Sequence, residues 1–326
     1  MAVYTEVSDE ALRGFLAEYE LGGLLAFRGI AEGVENSNYA LRTERGDFIL
    51  TLYEKRVDPA ELPYFLGLMD HLARRGLSCP TPVHGRDGAA LRELCGRPAA
   101  ICTFLEGVWP RRVRPEHLAP LGAALARLHL AGSDFPTVRP NALGPGGWAP
   151  LLEGCRERGD DAAPGLVAEL DAALAAILAA WPEAGLLPVG QIHADLFPDN
   201  VFFLADAAGA PRVSGLIDFY FACTDLLAYD VAVCLNAWCF EPDGSFNVTK
   251  ARALLRAYAE LRPLSEAERA ALPVLCRGAA IRFLLTRLYD WTHTPPGALV
   301  TRKDPLEYLR KLRFFARAGG PEAIGG

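Results

Sequence analysis

The residues best suited to chemistry lie in one short stretch, Gly190-Gln-Ile-His-Ala-Asp-Leu-Phe-Pro-Asp-Asn200, and in Asp218, which follows the apolar pair Leu216-Ile217. This order fits the pattern H-x-D-L-x-x-x-N followed by a hydrophobic strand that ends in aspartate. Phosphoryl transfer needs a carboxylate that takes the proton of the attacking hydroxyl, and a metal ion that neutralises charge. Asp195 is suited to the first task, whereas Asn200 and Asp218 offer the hard oxygen ligands that Mg²⁺ prefers. An H-x-D pattern alone is common, and an Asp-Asn pair near Pro198 is also compatible with simple turn chemistry.

Secondary-structure patterns place residues 190–200 in a β-rich island, 189–217, within an otherwise helical part of the chain, and Asp218 follows directly after this island. Apolar residues at helical spacing predict helices over 116–130, 162–181, 226–239, 249–261, 266–291 and about 305–315. Five extended runs predict an antiparallel sheet, at 24–30, 38–43, 48–53, 89–94 and 98–105. Further helices are expected after Ser8 and over about 58–75, and surface loops at 144–147 and 206–211. We therefore expect an α+β fold of two domains, 1–105 and 106–326.

Composition narrows the class of protein. The 326 residues include 33 Lys and Arg against 40 Asp and Glu, a net charge of −7, which disfavours a general nucleic-acid or anionic-membrane binder. Only four of the basic residues are lysine, and the eight cysteines form no C-x-x-C pair, so they are expected to be reduced. Neither a signal peptide nor an 18-residue apolar run is recognisable, and we expect a cytoplasmic protein.

With these motifs in place, the chain resembles the aminoglycoside phosphotransferase and choline kinase group over close to its whole length. Within that group it is similar to homoserine kinases of the phosphotransferase-like type. The similar segments are residues 30–38, 49–55, 218–222, 229–231, 236–240, 286–291 and 304–313. The resemblance implies a two-lobed protein-kinase-like fold with a small antiparallel-sheet N-terminal lobe, which binds the nucleotide, and a larger, mostly helical C-terminal lobe, which holds the catalytic and acceptor-binding residues.

The resemblance also implies an activity and roles for individual residues. The expected reaction is ATP- and Mg²⁺-dependent phosphorylation of the side-chain hydroxyl of L-homoserine, on the way to threonine. Asp195 would be the base and Asn200 and Asp218 the Mg²⁺ ligands. His193 would organise the loop, and Asp230 would brace it by hydrogen bonds. The linker 103–107, with Phe104 and Glu106, would hold the adenine by backbone groups.

The nucleotide-binding residues depart from the family pattern. The segment 29–38 takes the place of the phosphate-covering loop but holds only two glycines, so Ser37 and Asn38 would have to supply donors. Kinase-like enzymes carry a phosphate-binding lysine on the third strand, where this chain has Thr51. Lys55 is the only lysine in the first 249 residues. Either Lys55 reaches in from the strand end, or Arg56 or another arginine substitutes, or ATP is held with less charge compensation.

An amino-acid acceptor needs a cation for its carboxylate and an anion or carbonyls for its ammonium. Arg282 and Arg287 lie on one predicted helix, and one arginine could bind the carboxylate bidentately. Tyr220 and Asp225 follow the metal-binding aspartate and are expected to line the acceptor site.

Alternative functions remain open. The same chemistry could serve another small alcohol, such as choline, methylthioribose or an aminoglycoside. Because the third-strand lysine is missing, an ATP-binding pseudokinase is a second alternative. The presence of Asp195, Asn200 and Asp218 argues against a protein without catalytic activity. The sequence leaves the oligomeric state open.

Overall fold

The computed structural model describes residues 4–30, 36–54, 58–294 and 302–325. The chain forms two compact units, the first of residues 1–107 with 214–220 and the second of residues 108–213 with 221–326. The observed division therefore falls two residues after the expected boundary at 105, and it also assigns the short return segment 214–220 to the first unit.

The first unit is built on a five-stranded antiparallel sheet with strand order β1-β2-β3-β5-β4. Its elements in chain order are α1 (Asp9–Leu16), β1 (Leu24–Gly29), β2 (Ser37–Thr43), β3 (Gly46–Leu52), α2 (Leu62–Arg74), β4 (Leu91–Leu94) and β5 (Arg97–Thr103). This sheet and its two helices confirm the elements expected from the sequence.

Alternating burial explains why the strands form one face of a core. Along β2, the buried residues include Tyr39 and Leu41, which alternate with more accessible neighbours. They pack in one cluster with α1, whose apolar residues Leu12, Phe15 and Leu16 are almost fully buried. A sheet with one apolar face requires such a cover, and α1 provides it.

The second unit is mostly helical. Its elements are α3 (Leu118–Ala131), α4 (Pro145–Cys155), α5 (Leu166–Ala179), β6 (Val189–Ile192), β7 (Val201–Ala205), β9 (Cys223–Leu226), α6 (Leu227–Trp238), α7 (Val248–Leu261), α8 (Glu266–His293) and α9 (Pro305–Arg317). Strand β6 pairs with β9, and β7 pairs with β8 (Pro211–Leu216), the strand along which the chain passes to the first unit. None of the helices described is both long and apolar enough to cross a membrane.

One sequence prediction in this unit is wrong: residues 144–147 are not a surface loop, because α4 begins at Pro145. Proline is tolerated in the first turn, where its missing N–H group has no partner to lose. The helix is held by burial of Trp148, Leu152 and Cys155, and the Trp148 indole N–H donates to the Leu143 carbonyl at 2.7 Å. Tertiary packing therefore outweighs the helix-breaking glycines.

Helices α3 and α7 pack closely at a glycine. A methyl group added at Gly122 would lie 2.2 Å from the carbonyl oxygen of Leu254 on α7. Only a residue without a side chain allows the two backbones to approach this closely. The contact sets the position of α3, the helix that carries His129.

Candidate active site

The base loop, residues 193–200, joins β6 to β7 and is braced by an aspartate on α6. Asp230 is fully buried, and its carboxylate accepts the backbone N–H groups of His193 and Ala194, each at 2.8 Å. The same carboxylate lies 3.1 Å from Nε2 of His129. Ala194 has a left-handed backbone conformation with φ 62°, which a non-glycine residue rarely adopts. The predicted brace is thus confirmed, and it holds the loop in a conformation that costs energy by itself.

Asp230 is an ionised group in the interior. Burial alone would raise the pKa of its carboxyl, but the hydrogen bonds and charges of His129 and His193 outweigh burial and lower that pKa below its ordinary value. The His129 ring continues the network, because its Nδ1 lies 2.8 Å from the hydroxyl of Tyr258. The carboxylate is therefore stabilised as an anion chiefly by His129, and His193 of the loop adds to the effect.

The carbonyl groups of the loop are bound as well. Three successive carbonyls accept from three different side chains: Ala194 from Arg282, Asp195 from Asn200 at 2.8 Å, and Leu196 from Trp238 at 2.7 Å. The donors come from α8, the loop itself and α6. Side chains from two helices therefore hold the loop from both its N–H and its C=O groups.

Asp195 lies within this loop with 19% of its side chain exposed. Burial raises the pKa of its carboxyl, and the positive charges of Arg282, His193 and Lys303 act against that rise. One of its carboxylate oxygens is 3.9 Å from Nη2 of Arg282. A partly accessible carboxylate of raised pKa is suited to accept a proton from a bound hydroxyl.

Asn200 lies beside that carboxylate. Its amide nitrogen donates to the Asp195 carbonyl and lies 3.4 Å from the carboxylate, so its amide oxygen is left as an acceptor. Among the described residues, no group of three or more His, Cys, Asp or Glu side chains could hold a metal ion. The predicted Mg²⁺ ligands, Asn200 and Asp218, are instead one amide and one carboxylate.

Asp218 belongs to the first unit, where it follows β8. Its side chain is exposed, and its backbone is left-handed with φ 65°. The donor chemistry of Asn200 and Asp218, two hard oxygens, fits Mg²⁺.

Both predicted acceptor arginines are engaged within the fold. Arg282 is only 1% exposed, and its guanidinium packs over the ring of Phe283 with 4.3 Å between the Cζ atom and the ring centroid. It serves the base loop. Arg287 pairs with Glu307 on α9, with 2.7 Å between Nη1 and the carboxylate, and stacks over Tyr308. Its charge is therefore already compensated within the fold.

The other two predicted acceptor residues have internal partners. Asp225 accepts a hydrogen bond from the side-chain amide of Asn141 at 2.7 Å, and burial raises the pKa of its carboxyl. Tyr220 lies in the first unit, where its hydroxyl is 3.1 Å from that of the buried Tyr53. Both side chains therefore form hydrogen bonds within their own units.

The nucleotide-binding predictions on the sheet also have internal partners. The buried Ser37 hydroxyl accepts the N–H groups of Tyr4 and Thr5 and donates to Glu54 at 2.7 Å. Its capacity is used within the fold, so it has no donor to spare for a phosphate.

Asn38 and Thr51 face each other across β2 and β3. The Thr51 hydroxyl donates to the side-chain carbonyl of Asn38 at 2.8 Å, which leaves the Asn38 amide N–H groups as donors. Lys55 and Arg56, the predicted substitutes for the strand lysine, lie outside the described residues.

The linker after β5 is partly accessible. Phe104 is 47% exposed, and its N–H group donates to the Asp47 carbonyl at 3.3 Å. The Glu106 carbonyl accepts from the Ser214 hydroxyl at 2.7 Å. These bonds tie the linker to the first unit.

Sequence reasoning missed Lys303. It lies just before α9, is exposed, and has its ammonium 5.6 Å from the ring centroid of Phe197, a residue of the base loop. The scarcity of lysine in an arginine-rich chain is a sequence signal that could have drawn attention to it.

The chain is similar to known phosphotransferases over most of its length. The model of the phosphotransferase enzyme family matches residues 26–264. Homoserine kinases of Acidiphilium cryptum and Gluconacetobacter diazotrophicus are 68% and 66% identical to this chain over 325 residues, which covers 100% of each protein.

Solved structures share the fold at low identity. An aminoglycoside phosphotransferase from Alicyclobacillus acidocaldarius superposes with a TM-score of 0.66 at 17% identity, covering 98% of this chain and 95% of its own. A choline kinase from Cryptosporidium parvum gives 0.65 at 12% identity, covering 95% of each chain. The expected α+β, two-lobed kinase-like fold is thereby confirmed.

Proposed function

Because this chain belongs to the phosphotransferase enzyme family and is an enzyme that phosphorylates an alcohol group, we propose that it transfers the γ-phosphoryl group of ATP to the side-chain hydroxyl of L-homoserine. The choice of acceptor is supported by relatives named homoserine kinase that are 60–68% identical over all or nearly all of the chain. The product would be O-phospho-L-homoserine.

Asp195 is the proposed base. Its carboxylate is partly accessible, and the loop that carries it is bound through five backbone groups by Asp230, Arg282, Asn200 and Trp238. Such binding removes freedom that would otherwise be lost when the reacting atoms align. This bound loop, which carries a partly accessible carboxylate, is the observation that supports phosphoryl transfer best.

Asn200 and Asp218 are the residues that would hold Mg²⁺, which neutralises charge on the phosphates when it is bound. Asn200 contributes its amide oxygen, because its nitrogen is engaged by Asp195. Asp218 contributes an exposed carboxylate. His193 is fully buried, and its role is to organise the loop rather than to touch the reactants.

The absence of a lysine at Thr51 shapes the nucleotide-binding part of the proposal. Thr51 is buried and hydrogen-bonded to Asn38, so this position on β3 carries no cation. We propose that the Asn38 amide supplies a neutral donor to a phosphate. The linker with Phe104 and Glu106 is proposed to contact the adenine through its remaining backbone groups.

The proposal is tested by ADP release from Mg·ATP with L-homoserine, L-serine, L-threonine, choline, methylthioribose and kanamycin as acceptors. We expect turnover on L-homoserine. Asp195→Asn should lower kcat by about 10²-fold or more while ATP still binds, since a positioned base contributes about 10²–10⁴-fold. Asp199→Asn, at an exposed carboxylate in the same loop, is the matched control and should keep most activity.

Two outcomes would contradict the proposal. Turnover on a different acceptor would retain the chemistry and replace the substrate. Near-normal turnover by Asp195→Asn would remove Asp195 as the base.

A further inference from the structure

We propose that Lys303 is the cation that binds the acceptor's carboxylate, an inference that rests on the proposed use of an amino-acid alcohol. An amino-acid acceptor carries a carboxylate that needs a positive partner, placed so that the hydroxyl at the other end of the molecule reaches Asp195. Among the described residues, Lys303 combines a free positive charge with a location at the base loop.

The contact that locates Lys303 runs through Phe197. The Phe197 N–H group donates to the Asp195 carbonyl at 2.8 Å. Phe197 therefore belongs to the same tight turn as the proposed base. The Lys303 ammonium lies 5.6 Å from the centroid of that ring, within the range of a cation–π contact. Lys303 is also one of three positively charged or ionisable groups whose charge acts on the Asp195 carboxylate.

The other two groups are not accessible to a ligand. His193 is fully buried, and Arg282 is 1% exposed with its guanidinium on the Ala194 carbonyl and the ring of Phe283. Lys303 is exposed, and it forms no ion pair with any residue in the described ranges. It can therefore accept an anionic partner without losing one.

Arg287, the remaining arginine that the sequence suggested, is engaged elsewhere. Its guanidinium binds Glu307 at 2.7 Å and the Asp304 carbonyl at 3.1 Å. Recruiting it for a ligand would leave the partly buried Glu307 with one cation fewer, at a cost in stability. Since His193 and Arg282 are buried and Arg287 is paired, Lys303 is the cation near the base loop that we assign to the carboxylate.

The chemistry suits the short chain of the acceptor. An ammonium is a compact point charge on a flexible stem, and it can follow a carboxylate as the molecule settles. Binding the carboxylate beside the base loop fixes one end of the acceptor and limits the positions open to its hydroxyl. Lys303 would therefore select acceptors with a carboxylate over amino alcohols without one.

The test uses 3-aminopropan-1-ol, which is L-homoserine without its carboxylate. We expect Lys303→Met to raise the KM for L-homoserine about 10- to 100-fold, with the KM for ATP unchanged, since a lost charged hydrogen bond has this size. The preference in kcat/KM for L-homoserine over 3-aminopropan-1-ol should collapse by the same factor. Arg302→Met removes the neighbouring exposed charge, whose guanidinium donates to the Trp291 carbonyl, and should leave this preference intact.

Lys303→Arg keeps the positive charge and should restore most of the preference. An unaltered preference in Lys303→Met, or an increase in the KM for ATP instead, would overturn the inference while leaving the proposed reaction in place. Failure of the wild-type enzyme to use L-homoserine would overturn the proposed function itself. Thermal unfolding of each variant confirms that a change in kinetics is not a change in folding.

Discussion

Replacing Asp230 with asparagine tests how the base loop is held. One carboxylate oxygen accepts the N–H of His193 and faces Nε2 of His129, and the other accepts the N–H of Ala194. Asparagine has only one acceptor oxygen. If that oxygen keeps the first two contacts, an amide NH₂ group must face the N–H of Ala194.

The size of the effect follows from this count. A buried donor left without a partner costs about 1–3 kcal/mol, and the two remaining hydrogen bonds lose the support of a full charge. We expect Asp230→Asn to lower the free energy of unfolding by about 2–4 kcal/mol. This corresponds to a decrease in Tm of about 5–15 °C for a unit of this size.

The pH dependence gives a second readout. Although burial alone would raise the pKa of Asp230, its partners lower it, so the carboxylate contributes stability above its unfolded pKa. That contribution is lost as the pH falls through the folded pKa. The gap in stability between wild type and Asp230→Asn should be constant at neutral pH and should narrow below about pH 4, the ordinary value for aspartate.

Urea unfolding of both proteins at several pH values measures this gap. Asp225→Asn is the matched control, because Asp225 is in the same unit but burial raises the pKa of its carboxyl. Its replacement should cost less than half as much at neutral pH. A loss below about 1 kcal/mol for Asp230→Asn, which is the size of one ordinary hydrogen bond, or a gap that is independent of pH would refute the reasoning.

Three further predictions follow from single contacts. Arg282→Met should lower kcat about 10²-fold with little change in the KM for ATP, because the base loop loses a donor; steady-state kinetics that match wild type would contradict this. Gly122→Ala should cost about 1–3 kcal/mol in urea unfolding, because its methyl group would meet the Leu254 carbonyl. Burial would raise the pKa of Glu307, but Lys311 contributes most to lowering it to about 2. Glu307→Gln should therefore remove about 1 kcal/mol, after solvent screening, of stability that wild type loses as the pH falls from about 4.5 to 2.

The sequence predicted much of the fold because the relevant signals are local. Alternating and helical spacing of apolar residues predicted most strands and helices of both units. Helix α4 was not predicted, because the glycines and proline at its start are typical of a loop. The order of Asp195 and Asn200 within one loop is likewise a local property. The Asn200 side chain, five residues on, turns back to the Asp195 carbonyl within the same loop.

The partners of the site were decided by tertiary structure. Arg282 and Ala194 are 88 residues apart in the chain, and packing of α8 turned a residue expected to bind the acceptor into a donor for the base loop. Tertiary contacts also decided the role of Ser37, whose hydroxyl is hydrogen-bonded to Tyr4 and Glu54 within the first unit. Sequence spacing does not reveal which charges end up buried, because burial depends on every element packed around a side chain.

The sequence by itself indicated the class of chemistry, the residues proposed to perform it and the elements that carry them. Only the tertiary structure decided that Arg282 is buried, that Arg287 is paired with Glu307, and that Lys303 is exposed near Phe197 of the base loop. The physical reason is that a residue's type sets what it can bind, whereas desolvation and the nearest opposite charge set what it does bind.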